Sequence, residues 1–368
     1  MSPAPSRLLA GLDARIAAAA PGFDADVLLA ERACYRARQG KTAEALQTAK
    51  ALRARYATLS NTAISVWVNL VEGLASYYDD LGDLARDKLQ RAHAMSASRP
   101  TERLHLLCAA WLAQVDYTDH DAAAMARRVR HALAFAAADD HAVRARASLV
   151  VAQALHLGSG VEPAEPWYAA VRHHALADGD DLTIRALMRN RADLQLGRLG
   201  EATFAVNMPA EVAQAFREYE SGDAYARLIG EASQADLGPL QQAQVLCARR
   251  DAAAALALFD AHIGMATRGG LARMAAPLRA DQAWCRVQLG HFDQARIDAQ
   301  AAMQGLLDKT HVDDLAATHS RLAQVHEYLG EPDAAAHHAA LAARHWQEFR
   351  QLQERMAAAL EGMAGPGG

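Results

Sequence analysis

Six of the sixteen histidines lie beyond residue 310, and their spacing is the first place to look for chemistry. His319 and His326 are seven apart, as are His338 and His345, so two facing helices can offer four imidazoles, a donor set that suits zinc. Seven residues span two helical turns, about 10 Å, too far for both members of either pair to reach one ion. The expectation is interhelical or solvated histidines, with no metal and no cofactor. His326-Glu327 lacks the second histidine of HExxH, GxSxG and GxxxxGK[ST] are absent, and Gly158-Ser159-Gly160 is not a strand-to-helix dinucleotide turn. The cysteines, Cys34, Cys108, Cys247 and Cys285, are far apart and show no CxxC pairing. Three of them fall on expected first helices, where a buried, reduced thiol is a poor nucleophile. Asp178-Gly179-Asp180-Asp181 and Asp313-Asp314 precede expected helices, where carboxylates cap exposed amides and complement the helix dipole. The first run lacks the twelve-residue ligand spacing of a calcium loop. No reaction centre assembles from this inventory, and the expectation is a protein that is not an enzyme.

Charge narrows the partners. The net charge is −5 with both signs interspersed, so the concentrated basic surface that holds nucleic acid or an anionic membrane is not expected. Arg127-Arg128-Val129-Arg130 reads as one solvated helix face. Asp13 and Arg15 interrupt the apolar run near the N-terminus, which argues against a signal peptide, and no stretch suits a membrane span. A soluble, cytoplasmic chain is expected.

The elements that must position any site are set by a beat in the sequence. Turn-forming points fall at Gly40, Gly82, His120, Gly158, Gly197, Arg250, Gly290 and Gly330, mostly close to forty residues apart. Seven residues before six of these stands an alanine: Ala33, Ala75, Ala113, Ala243, Ala283 and Ala323; Val151 and Asn190 fill the other two places. Segments such as Leu289-Gly290-His291-Phe292-Asp293-Gln294-Ala295 and Leu329-Gly330-Glu331-Pro332-Asp333-Ala334 read as a helix, a left-handed break at glycine, and a second helix. With aromatics at only 6% and alanine abundant, close-packed helices are expected and strands are not.

This grammar, Leu-Gly-x-aromatic/apolar-x-x-Ala with small residues at the crossings, resembles the tetratricopeptide repeat in its longer-helix form found in bacterial regulators. The resemblance implies an all-α, right-handed solenoid of about eight helix-turn-helix units with a long C-terminal capping helix. The expected divisions are an N-terminal cap over 1–23, units one to five over 24–205, an irregular insertion or bend over 206–236, units six to eight over 237–348, and the end of the last helix with a disordered tail over 349–368. The insertion is expected because Gly197 to Arg250 spans 53 residues, with Pro209, Gly222, Gly230 and Gly238-Pro239 as punctuation. Along the last helix Leu341, His345, Phe349, Leu352, Met356 and Leu360 form one apolar stripe, suited to capping or to a homodimer contact.

In such repeats the first helix of each unit lines the inner, binding face. Counting back from the turns, the expected partner-binding residues are Asn69, Glu72, Ser76, Gln114, Tyr117, Arg191, Gln244, Trp284, Gln324 and Glu327. Amides, a few charges and an aromatic anchor suit a peptide or protein. The cationic clamp used by relatives that grip C-terminal carboxylates is missing, because its positions hold Ala30, Cys34, Asn69 and Gly73. The expected function is a protein- or peptide-binding scaffold or regulator acting through the concave face. The alternative is a ligand- or peptide-gated signalling sensor that controls a separate output partner, a nucleotide cyclase or a transcription factor.

Overall fold

The computed structural model describes residues 6–366, apart from 59–60, 81–82, 100–101, 200–209, 232–236, 267–271, 273 and 309. Among the described residues there are seventeen α-helices and no strand. The chain divides into two compact units, one made of Met1–Arg191, Ser221–Ser233 and Arg355–Gly368, the other of Ala192–Glu220 and Gln234–Glu354.

In the first unit a short helix α1 (Arg7–Ala18) precedes four helix pairs: α2 (Phe23–Arg38) with α3 (Thr42–Arg55), α4 (Thr62–Asp80) with α5 (Asp83–Met95), α6 (Arg103–Thr118) with α7 (Ala122–Phe135), and α8 (His141–Ser159) with α9 (Val161–Asp178). Each first helix packs on its own partner and on the first helix of the next pair, which is the stacking of a helical-repeat solenoid. Helices α10 (Asp181–Leu199) and α11 (Ala210–Ile229) follow. The second unit repeats the arrangement with α12 (Leu237–Ala248) and α13 (Ala252–Ala266), α14 (Ala275–Gln288) and α15 (Phe292–Gln304), then α16 (Val312–Tyr328) and the long α17 (Pro332–Ala359). No described helix is long and apolar enough to cross a membrane.

The alanine seam is buried because only a methyl group lets the paired axes approach. Ala33, Ala75, Ala113, Ala243 and Ala283 are all 2% exposed or less, and they face buried alanines on the partner helices, such as Ala45, Ala255 and Ala295. Ala323, in the last pair, is only partly buried. Five expected turn points adopt the left-handed conformation: Gly40, His120, Arg250, Gly290 and Gly330, with φ between 61° and 84°. At His120 and Arg250 a side chain accepts that strained geometry, because the repeat demands a turn there.

Several expectations are corrected. Helix α8 runs through Gly158 and breaks at Gly160, two residues later, with φ 103°. Helix α10 passes through Gly197 to Leu199; a lone glycine costs a helix only about 1 kcal/mol, which its neighbours can supply. Gly222 does not punctuate either, lying inside α11 where that helix passes Arg185 and Met188 of α10. Gly230 does end α11, with φ 66°, and Gly238-Pro239 sit in the first turn of α12, where a missing N–H is harmless. The expected turn at Gly82 and the segment 200–209, Pro209 included, lie outside the described residues. On α17, Phe349, Leu352 and Met356 are buried, as is Leu360 just beyond it, so this stripe is used within the chain. Any pairing of copies through this helix would use its exposed side, such as Arg344 and Arg350.

Candidate ligand-binding site

A cavity of about 110 Å³ opens in the first unit on the faces of the first helices, with residues of α1, α2, α4, α6, α8 and the start of α10 as its lining. Its polar side begins with a helix cap. Gly179 ends α9 in the left-handed conformation, and Asp180 then caps α10, accepting from the Thr183 amide at 3.0 Å and the Thr183 hydroxyl at 2.7 Å. The same carboxylate takes both terminal nitrogens of Arg38, from the last turn of α2, at 2.8 and 2.9 Å. Burial works against the Asp180 charge, but Arg38 and the cap outweigh it and hold the carboxyl below its usual range. The expected cap at Asp180 is thus present and also anchors an ion pair. Asp313 and Asp314 lie inside the first turn of α16, and His311 takes the capping position without a side-chain hydrogen bond.

The cavity's floor is aromatic. Trp111 of α6 lies beneath two guanidinium groups, Arg146 of α8 at 3.8 Å from the ring centroid and Arg38 at 5.6 Å. Arg38 is paired with Asp180, whereas Arg146 has no ion-pair partner among the described residues. It is 4% exposed, has no carboxylate within ion-pair distance, and its Nε and Nη2 lack any hydrogen-bond partner. Burial pushes its pKa down. Trp67, Leu70, Leu74 and Leu107 supply the apolar walls.

Helix α1 forms the remaining wall with Leu8, Leu12 and Arg15, one face at helical spacing. It is tied at its start by the Leu8 amide to the Gly179 carbonyl (3.2 Å) and by Arg7 to the Leu176 carbonyl (3.2 Å). The approach is close: a Cβ on Gly179 would stand 2.9 Å from the Arg7 Cβ. Farther along, Arg32 of α2 pairs with Asp13 at 3.0 Å, and Glu31 pairs with Arg103 at 2.5 Å. The Cys34 thiol also lines the cavity, and burial raises its pKa far out of the reactive range. All four cysteines are free and buried, and all four sit on first helices.

None of the ten expected partner-binding residues lines this cavity. The reason is a rotation about the helix axis. Glu72, Tyr117 and Glu327 stand three or four positions from a seam alanine and therefore share its face. Glu72 accordingly points at second helices, pairing with Arg53 of α3 (2.5 Å) and Lys88 of α5 (2.6 Å). Asn69 reaches Met95, at the end of α5, and Arg191 pairs with Glu165 of α9 at 2.7 Å. Ser76, Gln114, Gln244, Trp284 and Gln324 follow a seam position directly and lie on its flank. The face nearly opposite the seam, at about 100° per residue, holds the positions nine, five and two before the turn. In α2 those are Glu31, Tyr35 and Arg38, and in α6 the first of them is Trp111; all four line the cavity.

The second unit uses the same face differently. Asp281 and Arg321 both stand nine before their turns and pair at 2.7 Å, with Gln244 on Asp281 at 3.4 Å and Gln324 on Arg321 at 2.7 Å. Trp284 packs edge-on to Tyr328, with Arg321 over its ring. The charges there are satisfied internally. A larger hollow of about 510 Å³ in the first unit is lined by residues such as Phe23, Thr62, Met95 and His105, and its charged pair, Arg99 and Glu102, is closed on itself at 3.0 Å.

Four of the six histidines beyond residue 310 interdigitate. His345, His319, His338 and His326 stack in that order, with centroids 5.7, 5.1 and 5.3 Å apart and planes within 21° of parallel. His319 and His338 share a hydrogen bond of 3.0 Å between their Nδ1 atoms, and the ends rest on Glu331 (2.7 Å) and Glu348 (2.9 Å). Spacing within one helix gave no hint that alternate rungs come from opposite helices.

No protein-family model matches the chain. No curated protein matches it either. Among solved structures it is similar to the crystal structure of a Rap protein complexed with competence and sporulation factor, at 14% identity and a TM-score of 0.57, over 94% of this chain and 92% of that one. That likeness is one of fold: an all-α helical repeat.

Proposed function

We propose that this protein is a non-enzymatic regulator that binds a short peptide, or a peptide segment of a partner protein, on the first-helix face of its first unit. The observation that carries the reading is the cavity itself: an aromatic floor, leucine walls and buried charged groups drawn from five successive first helices and α1. A hollow of this size suits one residue of a chain; nucleotide-sized cofactors need several hundred cubic ångströms. The similar solved structure was obtained as a complex with competence and sporulation factor, and this supports ligand binding by a chain of this fold.

Trp67 and Trp111 line the cavity and report on its contents. Titrating the full-length protein with pools of random pentapeptides is expected to change its tryptophan fluorescence saturably at micromolar concentrations. The change is expected to persist in a Trp284→Phe variant, because Trp284 lies in the other unit. No change with any pool at millimolar concentration removes the reading.

The position of α1 favours a second reading, in which binding is transmitted to a separate output partner such as a nucleotide cyclase or a transcription factor. One face of α1 is a cavity wall, and its start is held at the α9–α10 turn by two hydrogen bonds and by Leu8 and Leu9 packed on Tyr35, Leu182 and Ile229, so an occupant that displaces Leu8 or Leu12 also releases surface elsewhere. Limited proteolysis after Arg7 and Arg15, with and without a bound peptide, tests this: ligand-dependent cleavage supports gating, and unchanged cleavage leaves a plain binding module.

A further inference from the structure

We infer that Arg146 is the anchor for the C-terminal carboxylate of an apolar-ended peptide, with the terminal side chain seated against Trp67 and the leucines beside it. The inference rests on the peptide-binding reading above and names its recognition chemistry.

Charge and pairing single out Arg146. Four guanidinium groups line the cavity, Arg15, Arg38, Arg103 and Arg146, against three carboxylates, Glu31, Asp178 and Asp180. Arg38 is matched by Asp180, while Arg103 and Arg15 share Glu31 at 2.5 and 4.0 Å, with Asp140 also 3.5 Å from Arg103. Arg146 is buried and has no ion-pair partner among the described residues. An arginine kept ionised in such a place leaves a fork of N–H donors unmatched, and a planar carboxylate is the group that fits a fork.

Size and walls then select the kind of carboxylate. About 110 Å³, where one water needs some 10–15 Å³, holds one residue but not a chain that must enter and leave. A chain terminus only enters. It also carries its carboxylate and its side chain on one carbon, as this site requires with Arg146 on one side and Trp67, Leu70, Leu74 and Leu107 on others. The family's usual cationic clamp, absent here, would draw on other positions, so its loss does not bear on Arg146.

The test uses the full-length protein and three probe sets: random pentapeptides with free C-termini, the same peptides amidated, and small monocarboxylic acids such as hexanoate and phenylacetate. Peptides with free termini and Leu, Ile, Phe or Met last are expected to bind at least about tenfold more tightly than their amides, the loss of one charge-assisted pair. In Arg146→Met, which keeps volume without charge, and in Arg146→Gln, that preference is expected to vanish while thermal unfolding stays cooperative. If either variant unfolds, the acid-against-amide ratio on the wild-type protein alone still decides. Equal binding of acid and amide peptides overturns this inference and leaves peptide binding intact. Binding of the small acids alone, with no peptide retained, overturns both.

Discussion

Arg38 and Arg146 lie over the same indole and each has a bare Nε, yet Arg38 is paired with Asp180 while Arg146 has a bare Nη2 as well and no ion-pair partner among the described residues. This difference sets opposite expectations for stability. Replacing Arg146 with methionine removes unsatisfied buried donors, and in the absence of ligand it is expected to stabilise the protein by about 1–3 kcal/mol. Asp180→Asn strands the Arg38 charge and is expected to destabilise by about 3–5 kcal/mol. Thermal unfolding of the two variants beside the wild type checks both signs. A destabilised Arg146→Met would mean the guanidinium is structurally satisfied. At this scale the sequence was partly legible. The cap at Asp180 could be read from its place before a helix, but its partner 142 residues away could not. Arg146 stands out only once three dimensions show it buried with no carboxylate within ion-pair distance among the described residues.

Between elements, the seam was the most readable feature, because burying a methyl group at each crossing leaves a period that survives sequence drift. Ala283→Leu is expected to destabilise by about 1–3 kcal/mol through overpacking, whereas Ala323→Leu, at a partly open position, should cost less. Equal losses in urea unfolding would contradict the burial difference. The expected binding residues and the cavity fall on different sides of the first helices, because residues three or four from the seam share its side. At the start of α1, Gly179→Ala both strains a left-handed backbone and intrudes on Arg7, so faster proteolysis within α1 is expected. The histidine ladder between α16 and α17 gives a pH dependence. Burial first, then the neighbouring imidazoles, push His319 and His338 down to about 4. An unfolded histidine titrates near 6.5. Between these values the unfolded chain takes up protons that the folded chain refuses, so stability falls as pH drops from about 6.5 to 4. A His319→Leu/His338→Leu double variant is expected to unfold at a temperature that varies less across that window. An unchanged slope would show that the ladder tolerates its charge.

For the whole molecule, the class of fold and its repeat length were legible, since both follow from patterns that recur along the chain. Breaks lacking such recurrence were not: α10 runs through Gly197 and α11 through Gly222, because nothing local forbids a helix at an isolated glycine. The two compact units present equivalent first-helix faces with different chemistry. In one, Asp281 and Arg321 satisfy each other; in the other, Arg146 is buried with no ion-pair partner among the described residues. The proposed binding therefore falls on the first unit, on the side facing away from the alanine seam. Hydrogen–deuterium exchange on the full-length protein, with and without the tightest peptide selected from the free-carboxylate pool, tests that assignment most directly. Slowed exchange is predicted in 7–18, 31–38, 103–111 and 142–149, with the second helices 42–55 and 122–135 unchanged. Protection centred on those second helices, or confined to the second unit, would contradict it.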